Sequence, residues 1–209
     1  METNAVLVKK KRNIIDFEQA AIVLDTLLDQ AENDEITMAY IDEAGHSTIQ
    51  PNRACWTKEG EVHAIDANKG PRLNVMGALL SDGSLFTTEK WGTTKADDFL
   101  VFLTKLVDRV KPTFKKPLYA IVDNASIHKA KAIQEGIEAL TEKGLRLYFL
   151  PPYSPELNRI EILWRHIKYV WMKFQSWTKA TLEAEVHRIL SGFGIEFKLA
   201  FRSVRAEKR

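Results

Sequence analysis

Two short apolar runs each lead straight into an aspartate: residues 36–41 (ITMAYI) into Asp42, and residues 118–122 (LYAIV) into Asp123. Runs this short and this rich in β-branched and aromatic residues are strand-length rather than helix-length. An acid closing a buried strand is costly to hold unless something offsets its charge. In open α/β sheets, functional sites lie beyond the carboxyl ends of the strands. Two such strands side by side would bring two carboxylates within reach of common metal ions. A single strand-end aspartate often only caps a turn, so the pair constrains the chain more than either member does.

The other segments fit around these two strands. Residues 14–33 carry apolar side chains at helical spacing, with Ile14, Phe17, Ala21, Val23, Leu24 and Leu27 on one stripe. The stretch 55–65, with Trp56 and Gly60, reads as a hairpin element. Residues 72–80 and 85–91 read as paired strands around the turn Ser81-Asp82-Gly83-Ser84. A helix follows over 94–111, with Thr94 as N-cap and Phe99, Leu100, Leu103, Leu106, Val107 and Val110 as its apolar stripe; Pro112 stops it. A helix over 129–143 ends at Gly144, and a strand follows over 145–150. Pro151-Pro152-Tyr153-Ser154-Pro155 enforces an extended connection. Helices are expected over 158–174, 179–191 and 196–204. Strands first, as an antiparallel meander, then alternating helices and strands, make an α/β mixed sheet flanked by helices.

Composition narrows the function. Lone Cys55 excludes a disulfide framework and a cysteine-rich zinc site. No apolar stretch reaches the roughly 18 residues that span a bilayer. Lys9-Lys10-Lys11-Arg12 is followed by no apolar core, so no secretory signal is expected and the cytoplasm is the expected location. Net charge is only +2, but its distribution is uneven. Residues 162–182 hold Arg165, Lys168, Lys173 and Lys179 and no acid, and the C-terminus adds Lys198, Arg202, Arg205, Lys208 and Arg209. That basic surface suits a polyanion or is a solvated helix face.

A third acid, Glu161, lies in the first turn of the helix after the Pro-rich loop. At about 100° per residue it falls at the edge of the stripe of Ile160, Trp164, Ile167 and Trp171. Its position is also accounted for by the helix dipole or by a pair with Arg165 at i+4. Three carboxylates suit Mg²⁺ or Mn²⁺, which are hard and take oxygen ligands. Two such ions about 4 Å apart can activate an attacking oxygen and stabilise a leaving one.

Three blocks now stand out: Ile41-Asp42-Glu43; Val122-Asp123-Asn124-Ala125-Ser126-Ile127-His128; and Tyr153-Ser154-Pro155-Glu156-Leu157-Asn158-Arg159-Ile160-Glu161-Ile162-Leu163-Trp164. They resemble the signature blocks of DDE transposases of the mariner superfamily, on the bacterial branch formed by the insertion-sequence 630 family. The resemblance implies a ribonuclease H-like fold, with Asp42, Asp123 and Glu161 as catalytic metal ligands for Mg²⁺ or Mn²⁺, two ions in all. Glu156 belongs to the Ser-Pro-acid turn and is not the family's catalytic acid. Asn124 and His128, and similarly His46, are weighed as contacts to DNA or metal-bound water against a role in fixing the loop after the strand. Trp56 and Gly60 look like the hairpin signature of relatives. Trp164, Trp171 and Trp177 are read as core or interface, and Arg165, Lys168 and Lys173 as DNA phosphate contacts.

The implied activity is metal-dependent cleavage and strand transfer of an insertion sequence. Its partners would be double-stranded DNA, both element ends and a TA-containing target, and a second copy in a homodimer, near the nucleoid when bound to DNA. The expected division is a helical arm over 1–35, the catalytic domain over 36–178 and a basic helical extension over 179–209. Relatives carry an N-terminal bipartite helix-turn-helix region that residues 1–35 are too short to supply. A frameshift fusion or a separate DNA-binding partner would provide it. A truncated DNA-binding or inhibitory remnant, or another ribonuclease H-like nuclease, are the competing readings.

Overall fold

The structure, a computed structural model, describes residues 12–49, 70–125, 128, 130–173 and 175–199. Helix α1 (Ile14–Glu32) starts at Asn13, whose side chain accepts the Ile15 N–H at 3.0 Å. Then come β1 (Thr37–Ser47), β2 (Arg72–Leu80), β3 (Leu85–Trp91), α2 (Ala96–Val110) and β4 (Leu118–Val122). A 3₁₀ turn (Lys131–Ile133) leads into α3 (Gln134–Glu142), followed by β5 (Leu145–Phe149). A second 3₁₀ turn (Pro155–Leu157) precedes α4 (Ile160–His166), which widens into a π-helical turn over Ile167–Trp171. Helix α5 (Lys179–Ser191) completes the order.

The five strands form one sheet in the order β3-β2-β1-β4-β5. β1–β2 and β2–β3 are antiparallel, whereas β1–β4 and β4–β5 are parallel. Strand side chains alternate between faces, and the core divides accordingly. Met38, Tyr40 and Ala44 of β1 pack with Leu24 and Leu27 of α1, Ile160, Leu163 and Trp164 of α4, and Leu182, Val186 and Ile189 of α5. Ala39 and Ile41 pack on the other face with Phe99, Phe102 and Leu103 of α2 and with Ile137 and Leu140 of α3.

Several sequence expectations shift. Asp42 does not end its strand: β1 continues to Ser47 because β2 runs antiparallel beside it as far as the Ser47–Arg72 pair. The parallel ladder with β4 stops at Tyr40–Ile121, so Asp42 still lies just past the edge that β4 covers. The α1 stripe is rotated: Ala20, Leu24 and Leu27 are buried, while Ile14 is 64% exposed. The α2 N-cap is Lys95, not Thr94, and its backbone N–H is accepted by Asp98 at 2.8 Å. The 129–143 helix is a 3₁₀ turn and the shorter α3. The 158–174 helix is α4 plus its π turn, ended when Met172 becomes extended. Residues 196–199 are not helical; Phe197 instead forms a bridge with Phe193. The readings on Cys55, Trp56, Gly60 and residues beyond 199 lie outside the described residues. Trp164 is core as expected, 2% exposed, and Trp171 and Trp177 pack partly buried against the same cluster.

Candidate active site

Strand parity brings the three acids to one side. Asp42 faces with Met38, Tyr40 and Ala44, and Asp123, which follows Ile121 by two positions, points the same way. Helix α4 lies on that face, seated by Ile160, Leu163 and Trp164. Glu161, next to fully buried Ile160, is half-buried. Asp42, Asp123 and Glu161 all line one cavity of about 350 Å³, walled by residues 151–155 and by Asn124, Ala125 and Asn158.

Asn158 sets the spacing of two of these acids. It is 3% exposed, and its Nδ2 donates to the Ile41 carbonyl oxygen at 2.9 Å. Its own carbonyl accepts the Glu161 N–H at 3.0 Å. A single residue thus ties the start of α4 to the peptide preceding Asp42. Gly77, opposite Asp42 in the β1–β2 ladder, brings helix and sheet together: a Cβ there would stand 2.6 Å from the Trp164 ring and 3.1 Å from Ile160 Cδ1.

Asp123 is fixed from its own loop. Buried His128, stacked on Phe99 at 4.2 Å between ring centroids, donates from Nδ1 to Asp123 Oδ1 at 2.9 Å. Asp123 Oδ1 also accepts the Ala125 N–H at 3.1 Å. The turn hydrogen bond expected of Asn124 is therefore made by Asp123, and Asn124 is an exposed part of the cavity wall.

The electrostatics separate the acids. The His128 hydrogen bond, opposed by burial and helped by the Ala125 N–H, holds Asp123 below the usual carboxylate range. Burial, then the charge of Glu161, then Asp123, push Asp42 up to about 7 against the Glu43 backbone hydrogen bond. Among the described residues no lysine or arginine lines the cavity. The donor set is all oxygen, and Asn158 Oδ1 adds a buried oxygen without a hydrogen-bond partner. Oxygen donors of this kind fit a hard divalent cation. Among the described residues, no three His, Cys, Asp or Glu side chains are gathered as tightly as the ligands of one ion.

Glu156 is outside the cavity lining and pairs with Arg12 at 3.0 Å. Glu161 and Arg165 form no ion pair, so the surface-pair reading of Glu161 falls away. Arg165 and Lys173 are exposed, whereas Lys168 is half-buried and senses the charges of Glu161 and Asp42. Asn158, Gly77 and the His128–Asp123 bond were not singled out from sequence. Only contacts across more than thirty residues reveal the first two, and nothing local marks them.

A family model described as DDE superfamily endonuclease matches residues 37–182, from the start of β1 into α5. The chain belongs to the DDE endonuclease superfamily. No curated protein sequence matches it. Among solved structures, the Mos1 transposase paired-end complex with left transposon end superposes with a TM-score of 0.60 at 18% identity, over 88% of this chain and 57% of that one. The Mos1 mariner paired-end complex with Mn gives a TM-score of 0.61, and the one with Mg gives 0.58, at 18% and 16% identity over the same 88% and 57%. The chain therefore spans a little over half the length of the structures it matches. The likeness shows the fold, a ribonuclease H-like mixed sheet with flanking helices. Among the described residues, no helix is long and apolar enough to cross a membrane.

Proposed function

We propose that this chain is the catalytic part of a DNA transposase related to the mariner superfamily, on the insertion-sequence 630 branch, with Asp42, Asp123 and Glu161 as its metal-binding catalytic acids. One observation carries the reading: acids from β1, from the end of β4 and from α4 line a single cavity. Membership of the DDE endonuclease superfamily supports it. The solved neighbours described with transposon-end DNA and with Mn or Mg point the same way.

Mg²⁺ or Mn²⁺ held there, as two ions, would polarise the scissile phosphate and lower the barrier to attack on it. The chain's own residues prepare that site. His128 keeps Asp123 ionised and oriented. Asn158 and Gly77 hold Glu161 against the sheet beside Asp42. In the proposed reaction, water opens a phosphodiester at an element end, and the freed 3′-hydroxyl then displaces a phosphodiester oxygen in target DNA. No nucleophile–base pair is required of the protein. Arg165, Lys168 and Lys173 would meet DNA phosphates. We extend the proposal to a homodimer that pairs two element ends and to a TA-containing target. The catalytic unit is 36–178, with flanking segments 1–35 and 179–209.

The test is nicking of supercoiled and element-end DNA in Mg²⁺ or Mn²⁺, by the wild-type protein and by Asp42→Asn. Nicking that needs the metal and drops at least 100-fold in the variant supports the site. Equal nicking by both proteins removes it. Cleavage confined to the RNA strand of a hybrid would assign a ribonuclease instead.

A further inference from the structure

β1 outruns β4, and at its far end a second cavity of about 400 Å³ opens, lined by Gly45, His46, Arg72, Lys168 and Met172 among others. Among the described residues its lining holds two cations and no carboxylate. Among the described residues neither Arg72 nor Lys168 has an ion-pair partner. Arg72 is placed by a glycine: a Cβ on Gly45 would lie 1.5 Å from Arg72 Nε and 2.0 Å from Cζ, so the guanidinium occupies the space a side chain would take. His46 is 3% exposed, and its Nε2 is buried without a hydrogen-bond partner. Burial, with Lys168 and Arg72 nearby, pushes its pKa down to about 3, so the ring is neutral. Burial and Arg72 also lower Lys168, while Glu161 and Asp42 raise it.

We propose that the Arg72–His46–Lys168 cavity is a phosphate subsite, which grips a backbone phosphate of the DNA strand whose neighbouring phosphodiester enters the acid cavity. The assignment rests on the function proposed above. Two unpaired cations held close together repel, and an anion between them relieves that repulsion. An acid cavity repels a nucleic-acid backbone, so a strand laid into it needs fixed positive charge directly beside it. Arg72 supplies a planar fork of donors that matches phosphate oxygens, and Lys168 supplies a point charge. The neutral imidazole of His46 supplies one further donor in the tautomer that carries the proton on Nε2.

The test measures binding of a fluorescent 30-base-pair duplex to the full chain in EDTA across a salt series. The variants are Arg72→Gln, Lys168→Gln and Gly45→Ala, and Lys105→Gln on exposed α2 controls for loss of one charge. Each cavity variant is expected to weaken binding several-fold. Arg72→Gln and Lys168→Gln should each flatten the slope of log K against log salt by about 0.9. Gly45→Ala, which removes no charge but displaces the guanidinium, should match Arg72→Gln. The control should keep the wild-type slope. Circular dichroism melts confirm that each variant is folded. Cavity variants that bind like the control overturn the subsite. So does saturable binding of inorganic phosphate, seen at the His46 ring by NMR, if duplex affinity is unchanged in the variants. Loss of binding in the variants of a chain that never nicks DNA would leave the subsite standing and remove the catalytic reading. Persistent Asp42-dependent nicking with unaltered binding would do the reverse.

Discussion

Asp42 carries the largest electrostatic strain among the proposed ligands. Its carboxyl is raised from 3.8 to about 7, chiefly by burial and then by Glu161. The folded chain therefore holds this proton more tightly than the unfolded chain does. Stability of the metal-free protein should fall as pH rises from the unfolded value of 3.8 towards 7, and level off above it. Thermal melts in EDTA from pH 5 to pH 8 are expected to show a falling Tm, and Asp42→Asn should remove most of that fall. A Tm that rises over this range in the wild type would show that Asp42 is not buried beside Glu161. Asn158 makes a different contribution. Asn158→Ala leaves the Ile41 carbonyl without its side-chain donor, at a cost of about 1–3 kcal/mol by denaturant unfolding. It should also slow nicking, because the tie between β1 and the start of α4 is lost. That Asp42, Asp123 and Glu161 gather at one cavity agrees with the sequence, where each sits in a motif. Asn158 lies inside the same motif, yet its role depends on a carbonyl 117 residues away and no local pattern announces it.

At the scale of elements, the approach of α4 to the sheet decides whether Glu161 reaches Asp42. Trp164 lies over Gly77, where a methyl group would be 2.6 Å from its ring. Gly77→Ala is expected to cost about 1–3 kcal/mol through overpacking. It should reduce nicking beyond what lost folding explains, since the helix must lift. Combining it with Trp164→Phe should recover part of that loss, and a double-mutant cycle would read the coupling; additive effects would mean that the ring and the glycine do not meet. β2, β3 and β4 were legible residue for residue, because alternating or continuous apolar runs between turn signals define them. The boundaries of β1 and α4 were not. β1 is prolonged by hydrogen bonds to β2, which sequence periodicity does not register. α4 gives way to a π turn although its apolar spacing continues through Ile167 and Trp171. In α1, Ile14 and Val23 suit a stripe on paper, but the sheet takes the face of Ala20, Leu24 and Leu27.

For the whole molecule, the sheet order β3-β2-β1-β4-β5 puts β1 and β4 side by side, and that adjacency brings acids distant in the chain to one cavity. A divalent ion that binds the folded cavity and not the unfolded chain must stabilise the fold. At a hundred times its dissociation constant, the gain is about 2.7 kcal/mol. Mg²⁺ should therefore raise the Tm of the wild type by several degrees and leave that of Asp42→Asn/Glu161→Gln nearly unchanged. A rise of equal size in both would place the ion elsewhere. The most direct measurement is anomalous diffraction from crystals of the chain soaked in Mn²⁺. Manganese density enclosed by the carboxylates of Asp42, Asp123 and Glu161 is expected. Manganese density remote from those three side chains, or none there at saturating Mn²⁺, would contradict it.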